Sequence, residues 1–350
     1  MKKNLYLLVA FVLLFVLGYI AFKSSGDATL SNEPLANFSI EDTSSVSKIF
    51  ITDVQGKSIN LQRVPGQRLW KLNETLLAKE SGVDLLLKTF KRMKVRSSVP
   101  YKAKETVLKM IASAGRKVEV YTTGEKPEKI YYIGTSTPNH NGTYMVLEIP
   151  GVGRSEEPYI VYMEGFTGFL TTRFHTDEED WRYTGIFEYR DLGIRKVDVK
   201  FNEDPSLSFS IAYNGGNDLK LFDGAGNSIR HFDTSAVKSY LLLYKKVHFD
   251  TYNSHLNALQ EDSLRRTSPS FTLVVTDTKD VQTKVDLYWK KASKEVPDEN
   301  GNPYPFDLEY LYGVLENNDV VLCQHYVFDP LLVPLDEMLP ATGLSGHKIK

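Results

Sequence analysis

FSIEDTSSVSKIFI (residues 38–51) and FEYRDLGIRKVDV (residues 187–199) read as two writings of one segment, and that reading decides the fold. Phe38, Ile40, Asp42, Val46, Lys48, Ile49 and Ile51 recur as Phe187, Tyr189, Asp191, Ile194, Lys196, Val197 and Val199, at a separation of 148 to 149 residues. Both copies alternate apolar and polar residues as a half-buried strand does. Further on, Ser81, Val83, Leu86, Leu87, Phe90 and Met93 match Ser235, Val237, Tyr240, Leu241, Tyr244 and Val247, each pair 154 residues apart. Offsets of three, four and seven place these apolar residues on one stripe of a helix, with each serine as the expected N-cap. The basic outer face recurs too, as Lys91-Arg92 and Lys245-Lys246.

Working outward, Val118, Val120 and Tyr121 begin a strand resembling Phe271, Leu273 and Val274, and Tyr159–Tyr162 resembles Val320–Leu322. Short second helices are expected near Glu105–Ala114 and Ser254–Glu261. Preserved order and offsets favour duplication over shared periodicity alone. The expected class is α+β: two tandem homologous lobes, 38–174 and 187–340, with antiparallel sheets and packed helices. Residues 175–186 are read as a linker, acidic from Asp177 to Asp180, with Trp181 docking between the two cores or contacting a ligand.

Ahead of the first lobe, Leu5–Phe22 is an uncharged apolar run of 18 residues preceded by Lys2 and Lys3. As a helix it would be roughly 27 Å long, enough to cross a hydrocarbon core. Residues 1–23 are therefore read as an uncleaved signal anchor, 24–37 as a polar tether and 341–350 as a polar tail. The lysines ahead of the run place the N-terminus in the cytoplasm and the bulk of the chain outside it, on the inner membrane. Cleavage near Gly26 or Ala28 is the alternative.

The charge balance, 42 Lys+Arg against 44 Asp+Glu, lacks the basic excess that phosphate contacts demand, so no nucleic-acid partner is expected. One cysteine, Cys323, excludes an intramolecular disulfide and a cysteine-based metal cluster. The seven histidines form no HExxH or HxH pair, and no metal or cofactor is expected. Asp298, Asn300, Asn302 and Glu309 imitate an EF-hand spacing, but Pro303 stands where the loop needs glycine, so a hairpin loop is preferred. Leu339–Gly343 matches the LPxTG sorting pattern without the apolar segment that must follow, and is read as chance. No catalytic residue is identified. The aromatic cluster Tyr304, Phe306, Tyr310 and Tyr312 could stack on a sugar ring or a partner if exposed, and fills a core if buried. With Trp181, the first three are the candidate binding residues.

The apolar N-terminus, the Phe38 strand, Arg63 before Trp70, the Val83–Phe90 helix and Asp180-Trp181-Arg182 leading to Phe187 resemble a bacterial family known as domain of unknown function 4340, in the form common among Bacteroidetes. The resemblance spans roughly residues 38 to 340. It implies an envelope protein encoded near ABC-transporter components of the gliding-motility type, and it carries over no functional residue. The expected function is a non-enzymatic, membrane-anchored scaffold for envelope membrane proteins, ABC-transporter components being the named candidates. The rival expectations are a module binding a glycan or lipid-linked precursor and, behind it, an envelope hydrolase.

Overall fold

A computed structural model describes residues 33–292, 297 and 301–340. The expected anchor, most of the tether and the C-terminal tail lie outside the described residues. The chain divides into two compact units, with the boundary between Tyr183 and Thr184.

In the first unit, β1 (Lys48–Asp53), β2 (Ser58–Gln62), β3 (Lys71–Leu72) and β4 (Leu76–Leu77) lead into helix α1 (Glu80–Arg92) and β5 (Met93–Ser98). Helix α2 (Tyr101–Ala114) is followed by β6 (Arg116–Tyr121), β7 (Lys129–Ser136), β8 (Thr143–Ile149), β9 (Gly153–Arg154), β10 (Tyr159–Met163) and the short α3 (Glu178–Trp181). The sheet runs β4-β3-β2-β1-β6-β7-β8-β10-β5, with β9 paired to β8. Every ladder is antiparallel.

One sheet face packs Ile49, Ile51, Val118 and Tyr131 against the α1 stripe Val83, Leu86 and Phe90. The opposite face packs Val146, Tyr132 and Tyr144 against Val107 and Ile111 of α2. Burying each such aliphatic or aromatic side chain is worth about 1.5–3 kcal/mol, which is how an amphipathic stripe becomes a fixed helix.

The second unit contains β11 (Gly185–Phe187), β12 (Ile194–Phe201), β13 (Phe209–Tyr213), β14 (Leu219–Asp223), β15 (Ser228–Ile229), α4 (Thr234–Leu243), β16 (Val247–His248) and β17 (Thr251–Tyr252). Then come α5 (Ala258–Arg266), β18 (Phe271–Asp277), β19 (Gln282–Lys291), β20 (Phe306–Leu315), β21 (Val320–Gln324) and α6 (His325–Phe328). Its main sheet runs β15-β14-β13-β12-β18-β19-β20-β21-β17, the same path as in the first unit position for position. Val237, Tyr240 and Leu241 of α4 cover one face, and Leu264 of α5 packs with Tyr288, Tyr312 and Leu322 on the other.

Individual bonds repeat as well. The Ile40 amide donates to the Phe90 carbonyl at 3.0 Å, and the Tyr189 amide donates to the Tyr244 carbonyl at 3.1 Å. Phe38 and Phe187 are both fully buried beneath them.

Several expectations need correction. Ile51 pairs with Val118 and Val199 with Leu273, so Val118 corresponds to Leu273 and not to Phe271. A slip of two residues keeps every side chain on its face, so alternation alone does not detect it. Neither serine is an N-cap: α1 starts at Glu80, and in α4 the cap is Asp233, whose carboxylate accepts from the Ser235 and Ala236 amides at 2.8 and 3.0 Å. A carboxylate outcompetes a hydroxyl at a helix N-terminus because it also meets the dipole. Helix α2 begins at Tyr101 behind Pro100, and α5 begins after an Asn257–Gln260 capping box, four residues later than expected.

The end of the tether is packed structure. Lys129 Nζ donates to the carbonyls of Asn37 and Ser39, and Ala36 is buried. Residues 175–183 are likewise part of the first unit: the Lys79 amide donates to the Trp181 carbonyl and the Tyr183 amide to the Leu77 carbonyl, both at 2.8 Å.

Candidate functional site

Trp181, expected between the cores or against a ligand, is 2 % exposed inside the first unit's core. Its Nε1 donates to the His175 carbonyl at 3.0 Å and its ring stacks on the His175 imidazole at 4.7 Å. Burial lowers the His175 pKa, with Asp180 and Asp177 offsetting part of that. This indole is a structural ring with no face presented to a ligand.

The other three candidates belong to the β19–β20 hairpin of the second unit, where an irregular register sorts them. Tyr288 pairs with Tyr312 and Trp289 with Leu311, but Lys291 pairs with Phe306, so four residues, Asp307 to Tyr310, stand opposite Lys290 alone. Asp307 holds this bulge. Its carboxylate accepts from the Glu309 and Tyr310 amides at 2.9 and 3.0 Å and pairs with the Lys290 ammonium. Burial pushes the Asp307 pKa up, and these partners outweigh it, leaving it below the usual carboxylate range.

The bulge puts Phe306 and Tyr310 in different environments. Phe306 stacks on Trp289 at 5.0 Å, and Trp289 also stacks on His325 at 6.0 Å and meets Phe271 edge-on at 5.3 Å. Tyr310 packs with the α5-side cluster, and its hydroxyl donates to Asp250 at 3.0 Å. Tyr304 and Phe306 remain 37 % and 38 % exposed, while Tyr312 is buried. The exposed rings can stack on a sugar or an apolar partner side chain, and Tyr310 does not join them.

Sequence reading missed Trp289 and His325. His325 Nδ1 lies 2.8 Å from Asp329 Oδ1, an i,i+4 pair on the chain leaving β21, and that hydrogen bond raises the His325 pKa against the opposing effect of burial. The spacing was legible; its meeting with Trp289 depends on the pairing of β19 with β20 and β21. Cys323, two residues before His325, is fully buried in the second unit's core, and burial pushes its thiol pKa up, keeping it protonated at neutral pH.

In the first unit, a shallow cleft of about 240 Å³ lies where the C-terminal end of α2 meets β1, β6 and β7, lined among others by Arg116, Tyr132 and Arg154. Among the described residues, no group of three or more His, Cys, Asp or Glu side chains could hold a metal ion. Within those residues, no helix is long and apolar enough to cross a membrane. Asp298 and Asn300 of the EF-hand-like spacing lie outside them, while the Pro297–Pro303 bridge continues the hairpin.

No protein-family model, characterised protein or solved structure matches the chain.

Two predictions arise here. Phe306→Ala should cost about 1 kcal/mol, as loss of a half-exposed stacked ring does, and should red-shift Trp289 emission by opening one of its faces to water. An unchanged emission spectrum would show that the stack is not maintained in solution. Acidification should act oppositely on the two units. His175, with a lowered folded pKa, makes the first unit less stable as pH falls below about 6.5, because only its unfolded state binds the proton readily. His325, with a raised folded pKa, gives the second unit stability that is present below about 6.5 and lost as pH rises through the folded pKa. Hydrogen exchange at pH 5.5 and 7.5 should show protection shifting from residues 33–183 toward 184–340 on acidification, and His175→Asn with His325→Asn should abolish the shift.

Proposed function

We propose that the chain is a non-enzymatic scaffold made by duplicating one α+β unit and held at the outer face of the inner membrane by residues 5–22. The observation that carries the reading is the repeated architecture. Two sheets share one strand path, and the Ile40–Phe90 hydrogen bond recurs at Tyr189–Tyr244, between residues that correspond in sequence. Duplication supplies two related surfaces on one chain, and an anchor raises their effective concentration at the membrane, so weak contacts to an envelope complex suffice. An ABC-transporter component is the partner class suggested by the resemblance to the domain of unknown function 4340 family.

The reading is tested in cells making residues 24–350 as a soluble secreted form. Complex assembly should fail although the protein accumulates; an unchanged complex would contradict it. A second reading, a glycan-binding module, is favoured by Phe306, which lies half-exposed on Trp289 beside exposed Tyr304. Tyr304→Ala with Phe306→Ala would then abolish glycan binding while lowering Tm by only a few degrees, the shift expected from a loss of about 1 kcal/mol.

A further inference from the structure

The cleft of the first unit has a floor set by strand register. Asp53 pairs with Arg116 and Thr52 with Lys117 across β1 and β6, Lys117 pairs with Tyr132 across β6 and β7, and Arg154 is brought in by β9. Ile111 and Ala112 of α2 and Val54 of the turn after β1 supply apolar walls. The Arg154 guanidinium lies over the Tyr132 ring, 4.1 Å from its centroid.

The lining carries three cations, Arg116, Lys117 and Arg154, and one acid, Asp53. That acid is engaged elsewhere: it accepts from the Thr176 hydroxyl at 2.7 Å and from the amides of Gln55 and Lys57 at 2.9 and 3.0 Å. Lys117 is paired with Glu119 at 2.6 Å. Nearby Glu148 accepts from the Tyr132 hydroxyl at 2.8 Å. Among the described residues, neither Arg116 nor Arg154 has a carboxylate within ion-pair distance, and the buried Nε of Arg116 has no acceptor. A buried donor on a charged group without a partner is costly, and Arg116 so placed, with the exposed Arg154 guanidinium on the same apolar-walled cleft, is a match for an oxyanion.

We propose that this cleft binds a small molecule bearing an oxyanion, a carboxylate or a phosphate monoester, on an apolar body, with Arg116 and Arg154 as its charge partners. The volume of about 240 Å³ admits a single small ring or short chain. The site is independent of the scaffold reading, since nothing in it requires a protein partner. A purely structural role is the competing explanation for Arg116 and Lys117, which follow the carbonyl end of α2 and complement its dipole. That role does not account for Arg154, which comes from β9.

The test titrates full-length protein in neutral detergent micelles with benzoate and, separately, with phenyl phosphate at low salt. It compares the unaltered protein with Arg154→Gln, with the Arg116→Gln/Arg154→Gln pair, and with the exposed control Arg230→Gln. Micelle partition is common to all four, so the difference between proteins is what is read. Saturable binding that weakens about tenfold in Arg154→Gln, weakens further in the pair and is unchanged in Arg230→Gln supports the site. The tighter probe assigns carboxylate or phosphate. Because Arg154 is exposed, its variant keeps the test valid if the Arg116 change disturbs folding. Absence of saturable binding by either probe up to about 10 mM, or equal affinity in Arg154→Gln, would overturn the proposal.

Discussion

Trp181→Ala should destabilise the first unit by about 3–5 kcal/mol, the range for removing a fully buried indole. The ring fills the core beside Val83 and Phe174, and a Cβ placed on Gly82 would already meet it at 3.0 Å, so the cavity left behind has little slack to close around. The substitution also strips the His175 carbonyl of its Nε1 donor and removes the ring stacked on that imidazole. Because the chain has two units, one global unfolding free energy is not the appropriate measure. Hydrogen exchange in graded urea should show peptides from residues 33–183 losing protection at lower denaturant while those from 184–340 are unchanged. A loss below about 1 kcal/mol would return Trp181 to the surface and reopen a direct binding role for it.

Asp307→Ala should cost the second unit about 2–3 kcal/mol. The Lys290 and Asp307 side chains are only 11 % and 14 % exposed, so removing the carboxylate leaves a nearly buried ammonium without its counter-charge and frees the Glu309 and Tyr310 amides. Lys290→Met with Asp307→Ala should recover part of the loss, since no uncompensated charge then remains. The single variant should also let the bulge relax, moving Phe306 off Trp289, which tryptophan emission would report. A neutral single variant with an unchanged spectrum would mean that the bulge is fixed by backbone pairing and not by this ion pair.

Much of the architecture was legible because it is periodic. The Val83–Phe90 and Val237–Tyr244 stripes are buried as their spacing required, and Phe38 and Phe187 lie beneath equivalent backbone bonds. What failed was aperiodic. The cap of α4 is Asp233, two residues ahead of the serine that the repeat made conspicuous. Trp181 sits in an acidic segment that resembles a linker by composition, yet one indole and a few backbone bonds to Leu77 and Lys79 suffice to make it core. The Tyr304–Tyr310 cluster was visible as a cluster, but its division depends on a bulge held by a single aspartate, which no alternation pattern announces. Arg116 and Arg154 are 38 positions apart in sequence and share a cleft only because β6, β7, β8 and β9 are consecutive neighbours in the sheet.

The most direct test of the scaffold account is crosslinking in cells followed by purification of the full-length protein from gently solubilised membranes, with mass spectrometry of everything retained. The account predicts a membrane protein recovered in stoichiometric amount, lost when residues 1–23 are replaced by a cleavable leader. Recovery of the chain alone, or with only a glycan or lipid, would contradict it.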